Sequence, residues 1–319
     1  MVSTVSVGLM QMPRQNLFLE DAQIARDKIT REEMQRIEKL YEDWAKQIGK
    51  RANKFKLSGN KFQERYYREL MKQLNDSSRA VSNALYTGIK SAMFDVSDSV
   101  MKSSADWLKE LGFTEKSVSA AFSGVARREV TNIINGRIYD TGWSLSARIW
   151  GNSSEQMKTL YQIVAGGMAR NEEIYSIAKQ LEQYVNPKAA RQWNLKMKDG
   201  RRIYPKKVDY NAQRLARTLI QHAYQQSVID ASKRNPFIKK IRWIANGSRA
   251  CEICQDRDGN IYDLDSVPLD HPNGMCVMEP INSYTEDEMN ERLADWVHGA
   301  YDADLDEAAK YFGYEYEGE

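Results

Sequence analysis

The chain is predicted to be mainly α-helical, with long amphipathic helices followed by a small α+β module near the C-terminal end. Three observations carry that expectation. Through most of the first 235 residues, apolar side chains recur at alternating three- and four-residue steps, the period of one helix face. Beyond Pro236 the pattern changes to Ile238, Ile241, Trp243 and Ile244, a short run rich in β-branched and aromatic residues that favours a strand. All three cysteines fall within that second region.

The elements follow in order. Residues 1–15 read as a flexible arm. Thr30 and Glu33 have capping-box spacing, which places a helix start there. Met34, Ile37, Tyr41, Trp44 and Ile48 then form one apolar stripe. Lys54–Lys61 is a basic break containing a glycine. Helical pattern resumes at Phe62, weakens near Asn75, and runs to Leu111, with Gly112 suited to the left-handed position after a helix. Thr114 reopens a helix through Val118, Phe122, Val125 and Val130. Trp143, Leu145, Ile149 and Trp150 make an apolar patch in a less regular stretch, and the next helix carries Met157, Leu160, Tyr161, Ile163 and Val164. Asn171 is placed to cap a further helix, with Glu172 and Glu173 set against its dipole. Its buried face is Ile174, Ile177, Leu181 and Tyr184, and Pro187 ends it. Another helix spans about Asp209 to Lys233. In the final module, Asp258-Gly259 reads as a turn into a short strand at Asn260-Ile261-Tyr262.

At 319 residues the chain exceeds the roughly 100–200 residues of a typical domain. The expected division is 1–15 as the arm, 16–112 as a long-helix region, 113–235 as a helical domain with a basic insertion at 188–207, 236–283 as the small β-containing module, and 284–319 as an acidic tail. No apolar stretch approaches the roughly 20 residues that cross a bilayer, and Met1–Arg14 does not have the form of a secretory signal. The expectation is a protein that stays in the cytosol or in a particle assembled there.

Charge is unevenly spread. Tyr284–Glu319 holds twelve acidic residues against Arg292 and Lys310, which leaves the tail at −10 and the rest at +12 within a total of +2. That asymmetry suits a basic body meeting an acidic surface, and equally a solvated surface with an acidic end. Lys188–Lys207 concentrates eight basic residues against Asp199 alone, with Trp193 and Tyr204 among them. Lys198-Asp199-Gly200-Arg201 reads as a hairpin tip. Lys196, Lys198, Arg201, Arg202, Lys206 and Lys207 are candidate nucleic-acid contacts, since basic residues interleaved with aromatics can hold phosphates and stack bases. An exposed loop with incidental charge is the competing reading.

The cysteines give the sharpest chemistry. Three form a poor disulfide framework, and a cluster of this kind in a reducing compartment more often holds a metal. Cys251 and Cys254 have C-x2-C spacing. His271 and Cys276 follow in the run His271-Pro272-Asn273-Gly274-Met275-Cys276. Three thiolates and one imidazole make a standard structural set for tetrahedral Zn²⁺. The site is therefore expected to be zinc-knuckle-like, with the ligands Cys251, Cys254, His271 and Cys276. Pro272 is expected to stiffen the return loop and Gly274 to let it turn. A closed Cys3His set leaves no position for a reactive water, so the ion is expected to be structural. His222 and His298 show no partner in the sequence. Glu315 and Glu317 are similar to the acidic pair of ADP-ribosyltransferases, but at the end of an acidic tail they read as solvated charge.

Taken together, Arg217-Thr218 on a helix, the Trp243 strand, Arg249 before Cys251-x-x-Cys254, Asp258-Gly259 and His271-Pro272-Asn273 with Cys276 resemble the phage Mu F-like minor head protein family, also called the head morphogenesis family. The specific part covers about Ala212 to Cys276, with a weaker helical likeness upstream. The resemblance implies a non-enzymatic minor capsid protein of a tailed phage, present in a few copies inside the head near the portal vertex and made in the host cytoplasm. It implies the portal and other head proteins as partners, a role in head assembly and in DNA packaging or release, and no membrane. Many members have a further cysteine where this chain has Gly274. Two other readings stay open. C-x2-C with Asp270-His271 also resembles treble-clef nucleases of the HNH type, which needs His271 free for catalysis and a second cation site. A zinc-containing DNA-binding protein is the third reading, although no recognition helix is readable.

Overall fold

A computed structural model of the chain describes residues 15–56, 64–170, 172–189, 195–196, 202–203, 208–247 and 250–313. Gln15 is the first residue described and is already helical, so the expected arm otherwise lies outside the described residues, as do Asn171, Arg249, Glu315 and Glu317.

Two long helices build the frame: α1 (Gln15–Lys56) and α2 (Glu64–Glu110). The helix start expected at Thr30 is not there. Both Thr30 and Glu33 are buried inside α1, and the Glu33 carboxylate is held by Arg36 Nε at 2.6 Å and Nη2 at 2.7 Å. The apolar face simply continues upstream through Ala22 and Leu19. Nor does helix break at Lys54–Lys56, which belong to α1. Near Asn75, α2 is also continuous. Its polar residues are satisfied there: Ser77 Oγ bonds back to the Gln73 and Leu74 carbonyls and accepts from Trp44 Nε1, while Asn75 Oδ1 accepts from Tyr161 Oη. At its C-terminus the Phe113 N–H reaches the Leu108 carbonyl and the Gly112 N–H the Lys109 carbonyl, with Gly112 at φ +93°. That is the double bond that closes a helix on a left-handed glycine, as expected.

Shorter helices follow: α3 (Glu115–Phe122), α4 (Val125–Ile134), α5 (Leu145–Ala169) and α6 (Ile174–Val185). The single helix expected from Thr114 to Val130 is two, because Gly124 sits at φ +72° and turns the chain between α3 and α4. Leu145, Ile149 and Trp150 are not in irregular chain. They open α5 behind Ser144, whose hydroxyl accepts the Ala147 N–H. Helix α6 starts at Ile174 with Glu173 as its cap position, later than an Asn171 cap would put it. Two short strands, β1 (Leu195–Lys196) and β2 (Arg202–Ile203), pair antiparallel, and the expected tip at Lys198-Asp199-Gly200-Arg201 lies outside the described residues.

Helix α7 (Tyr210–Lys233) is the hub, packed by α1, α2, α4 and α5 and by two strands of a sheet. That sheet has the order β4-β3-β5, all antiparallel: β3 (Ile238–Ile244) is central, β4 (Ile261–Asp263) follows a short α8 (Glu252–Arg257), and β5 (Val277–Asn282) closes it. The chain is thus mainly helical with a small antiparallel sheet toward its C-terminal end. One apolar core runs from Leu19 of α1 through α2, α5 and α7 to Trp243 and Met278 of the sheet, and it includes Cys254 and Cys276.

The acidic tail is folded as far as Gly313. It forms α9 (Glu286–Val297), opened by a capping box between Thr285 and Glu288, and α10 (Ala303–Phe312). Arg292 clamps Asp302 with Nε and Nη2, both at 2.8 Å, and Trp296 Nε1 donates to Asp306. Met289 and Leu305 join Phe237 in a second small core against Leu111 and Phe113 at the end of α2. Among the described residues no helix is long and apolar enough to cross a membrane.

Candidate metal centre

Two pieces of chain bring the donors together. Cys251 is the cap residue of α8 and Cys254 lies in its first turn, so one turn of helix aims both sulfurs the same way, 3.7 Å apart. Asp258 and Gly259 tie this helix to β3: the Ala245 N–H donates to Asp258 Oδ1 at 2.8 Å, and the Gly259 N–H to the Trp243 carbonyl at 2.8 Å. Arg257 lies over the Trp243 ring and donates to the Leu269 carbonyl, which fixes the start of the second loop.

That loop carries His271 and Cys276. His271 Nε2 is 3.2 Å from Cys251 Sγ and 2.9 Å from Cys254 Sγ. Its Nδ1 is 2.9 Å from the Pro272 carbonyl. A carbonyl only accepts, so Nδ1 carries the proton and the Nε2 lone pair faces the sulfurs, the usual arrangement of a ligating imidazole. Cys276 Sγ lies 3.2 Å from Cys254 Sγ.

Cys251, Cys254 and His271 therefore form a cluster that could hold a metal ion, each donor within 4.8 Å of the other two. The fourth expected ligand is less regular. Cys276 groups with Cys254 and Asp270 and not with the other three as one set. Several separations are also shorter than the edge of about 3.7 Å that tetrahedral bonds of about 2.3 Å imply. The cluster is contracted around Cys254, its shared vertex. The donor chemistry still fits a borderline divalent ion: three sulfurs and an imidazole with its other nitrogen committed. Burial pushes the Cys254 thiol pKa up, and hydrogen bonding with Cys276 and Cys251 that keeps the proton on Cys254 reinforces the shift.

What holds the loop was missed in the sequence. Asp270 is buried, and its carboxylate accepts from the His271 N–H at 2.8 Å, the Cys276 N–H at 3.3 Å and Gln221 Nε2 at 3.0 Å. Both candidate donors of the loop are thus positioned through one carboxylate. Helix α7 supplies the rest from a single stripe. Thr218 Oγ1 accepts the Asn273 N–H, Arg217 donates to Asn273 Oδ1, His222 Nε2 donates to the Asp270 carbonyl, and Gln225 bonds Asp270 N–H and the Pro268 carbonyl. His222 also accepts from Tyr139 Oη, and burial lowers its pKa, consistent with a neutral ring. From α1, the buried Arg26 reaches Gln221 Oε1 and the Cys276 carbonyl, both at 3.1 Å.

Gly274 plays a different part from the one expected. The left-handed residue in the turn is Asn273, at φ +67°. Gly274 is needed because a Cβ there would overlap the Asp270 carboxylate. Gly274→Ala is expected to shift the loop off Asp270 and to cost about 2–3 kcal/mol, the range for a strained, buried polar site. Chemical denaturation measures it, and a loss under 0.5 kcal/mol would show that the loop has room to spare.

The side chains of Lys196 and Arg202, and all of Lys198, Arg201, Lys206 and Lys207, lie outside the described residues. Of the basic stretch, Lys188 is described, and it pairs with Glu42 of α1 at 2.6 Å. No family model, curated protein or solved structure matches the chain.

Proposed function

We propose that the chain is a minor structural protein of a tailed-phage head, acting near the portal vertex in head assembly and in DNA packaging or ejection, with a structural Zn²⁺ held by Cys251, Cys254, His271 and Cys276. One observation carries this reading. Several of the residues that carry the resemblance to the head morphogenesis family, far apart in the chain, are in contact: Arg217 and Thr218 bind Asn273 of the His-Pro-Asn turn, which presents His271 to Cys251 and Cys254. That contact supports reading these residues as one folding unit, and the family assignment rests on the resemblance of their pattern.

When bound, the ion would cross-link α8 to the Asp270–Cys276 loop. Cys276 is favoured over Asp270 as the fourth ligand because the Asp270 carboxylate already accepts three N–H groups. The same reasoning weighs against the HNH nuclease. Its general base needs a histidine nitrogen free for water, whereas His271 has Nδ1 on a carbonyl and Nε2 among the sulfurs. DNA contact through Lys196, Lys198, Arg201, Arg202, Lys206 and Lys207 fits a protein beside the packaged genome and rests on the charge of that stretch.

The test is compositional. Particles induced from the genome that encodes the chain are expected to contain it at a few copies per portal ring by quantitative mass spectrometry, and deletion should lower the yield of filled heads. Absence from purified particles would sink the proposal.

A further inference from the structure

The seam between α2 and α5 leaves an open groove of about 240 Å³, lined by Ser82, Asn83 and Tyr86 on one side and Ser146, Ile149 and Trp150 on the other. Trp150 is 49% exposed, and Trp143, just before α5 in the chain, is 61% exposed. Large aromatics on an open surface are the residues that most often anchor protein interfaces. Arg79 and Lys90 extend the Asn83–Tyr86 row in both directions on α2, spaced four, three and four residues apart, so the groove has a basic rim.

The complementary feature is on the same chain. At the turn from α9 into α10, Val297 at the end of α9 is 74% and Tyr301 85% exposed, which makes an apolar tip on the segment of charge −10. Asp287, Glu291 and Asp295 run up to it as an exposed acidic row on α9, four residues apart, while Asp302 on its other side is held by Arg292. The tip cannot fill the groove of its own chain. Trp296 packs on the small core of Phe237, Met289 and Leu305, which Leu111 at the end of α2 also joins, whereas the groove lies at Tyr86, 25 residues back along that helix, or about 37 Å at 1.5 Å per residue.

From this arrangement we infer that copies of the chain associate head to tail, with the Val297–Tyr301 tip of one seated in the α2/α5 groove of the next. The contact is heterologous, because two different surfaces meet, so it propagates into a ring or a filament rather than closing as a two-fold dimer. Its rims are oppositely charged, so salt weakens it: the screening length falls from about 8 Å at 0.15 M to about 3 Å at 1 M. The inference does not depend on the metal or on the phage reading.

Analytical ultracentrifugation of the full chain tests it. The unaltered protein is expected to form species larger than a dimer as concentration rises and to dissociate in 1 M salt. Trp150→Ala, which empties the groove, and Tyr301→Ala, which blunts the tip, should each sediment at 36.8 kDa, the mass of one chain. Both side chains are exposed, and unchanged helical circular dichroism confirms folding. Asn83→Glu, which places an acid in the groove, should act like Trp150→Ala. An equimolar mixture of the Trp150→Ala and Tyr301→Ala chains keeps one intact tip and one intact groove, and should yield a dimer that grows no further. A monomeric unaltered protein at every concentration, variants that still associate, or a mixture that stays monomeric would each overturn the inference.

Discussion

Cys254→Ser is expected to abolish metal binding and to unfold the C-terminal module at temperatures the unaltered chain survives. Elemental analysis of the unaltered protein should give about one zinc per chain, and the variant close to none. Cys254 is the one donor in contact with all three others, with Cys251, His271 and Cys276 all within 3.7 Å of its sulfur. A serine oxygen is a poor ligand for a borderline-soft ion, so the other three donors lose the point around which they gather. Structural zinc sites contribute on the order of 10 kcal/mol of apparent binding energy near neutral pH, which exceeds the stability margin of many whole domains. The loss should also spread. Cys254 and Cys276 belong to the main core, and the Cys276 carbonyl is held by Arg26 of α1. Hydrogen exchange should therefore rise in α8 and in the loop, and also along the facing turn of α7. A variant that keeps its zinc and its melting temperature would remove the metal centre from the account of this fold.

Acidity supplies an independent reading of the same site, with opposite signs for the two forms. In the metal-free chain, burial raises the Cys254 pKa. A raised folded value means that the folded state keeps its proton longer. Stability is then full below the unfolded thiol value of about 8.5 and falls as pH rises beyond it. In the loaded chain the ligands are thiolates, protons compete with the ion, and stability falls on acidification instead. With chelator the melting temperature should fall towards alkaline pH, with zinc it should fall on acidification, and the two profiles should converge at low pH.

The helical class and the Cys/His cluster were legible in the sequence for different reasons. Apolar spacing of three and four residues reports burial directly, and it located α1, α2, α6 and α7. The C-x2-C pair and the His271-to-Cys276 run were visible because cysteine and histidine are rare and their chemistry is narrow. Thr30 and Glu33 misled because capping spacing is local, while the helix there continues under tertiary packing. The α3–α4 break was hidden because Gly124 interrupts a sequence whose apolar spacing runs straight across it. The shell around the metal loop was not legible at all. Arg217, Gln221 and Gln225 form a polar row on α7 that reads like a solvated face, and only the fold reveals that a loop covers it instead of water. The folded tail had a signal, Met289, Leu293 and Trp296 at helical spacing, but the surrounding acids outweighed it.

Asp270→Asn tests that hidden shell, and its effect should rank next to the loss of Cys254. The carboxylate receives N–H groups on both oxygens: His271 on Oδ1, and Cys276 with Gln221 on Oδ2. Asparagine has the same shape but a single acceptor. Whichever way its amide is turned, an NH2 group faces an N–H donor, and at least one buried donor is left unpaired. Hydrogen bonds to a charged group contribute about 1.5–3 kcal/mol each, and stranding a buried donor adds a penalty of similar size. The expected cost is therefore about 3–5 kcal/mol in the loaded chain. Zinc affinity should fall 10- to 100-fold, as it does when groups that orient ligands are replaced. Stability and affinity should fall together, because the same carboxylate positions His271 and Cys276. A double-mutant cycle with Gln221→Ala locates the effect: the two residues share a hydrogen bond, so the combined loss should be smaller than the sum by about 1 kcal/mol or more. If the losses simply add, or if Asp270→Asn lowers stability without touching zinc affinity, Asp270 is part of the core's polar wiring and does not position the ligands.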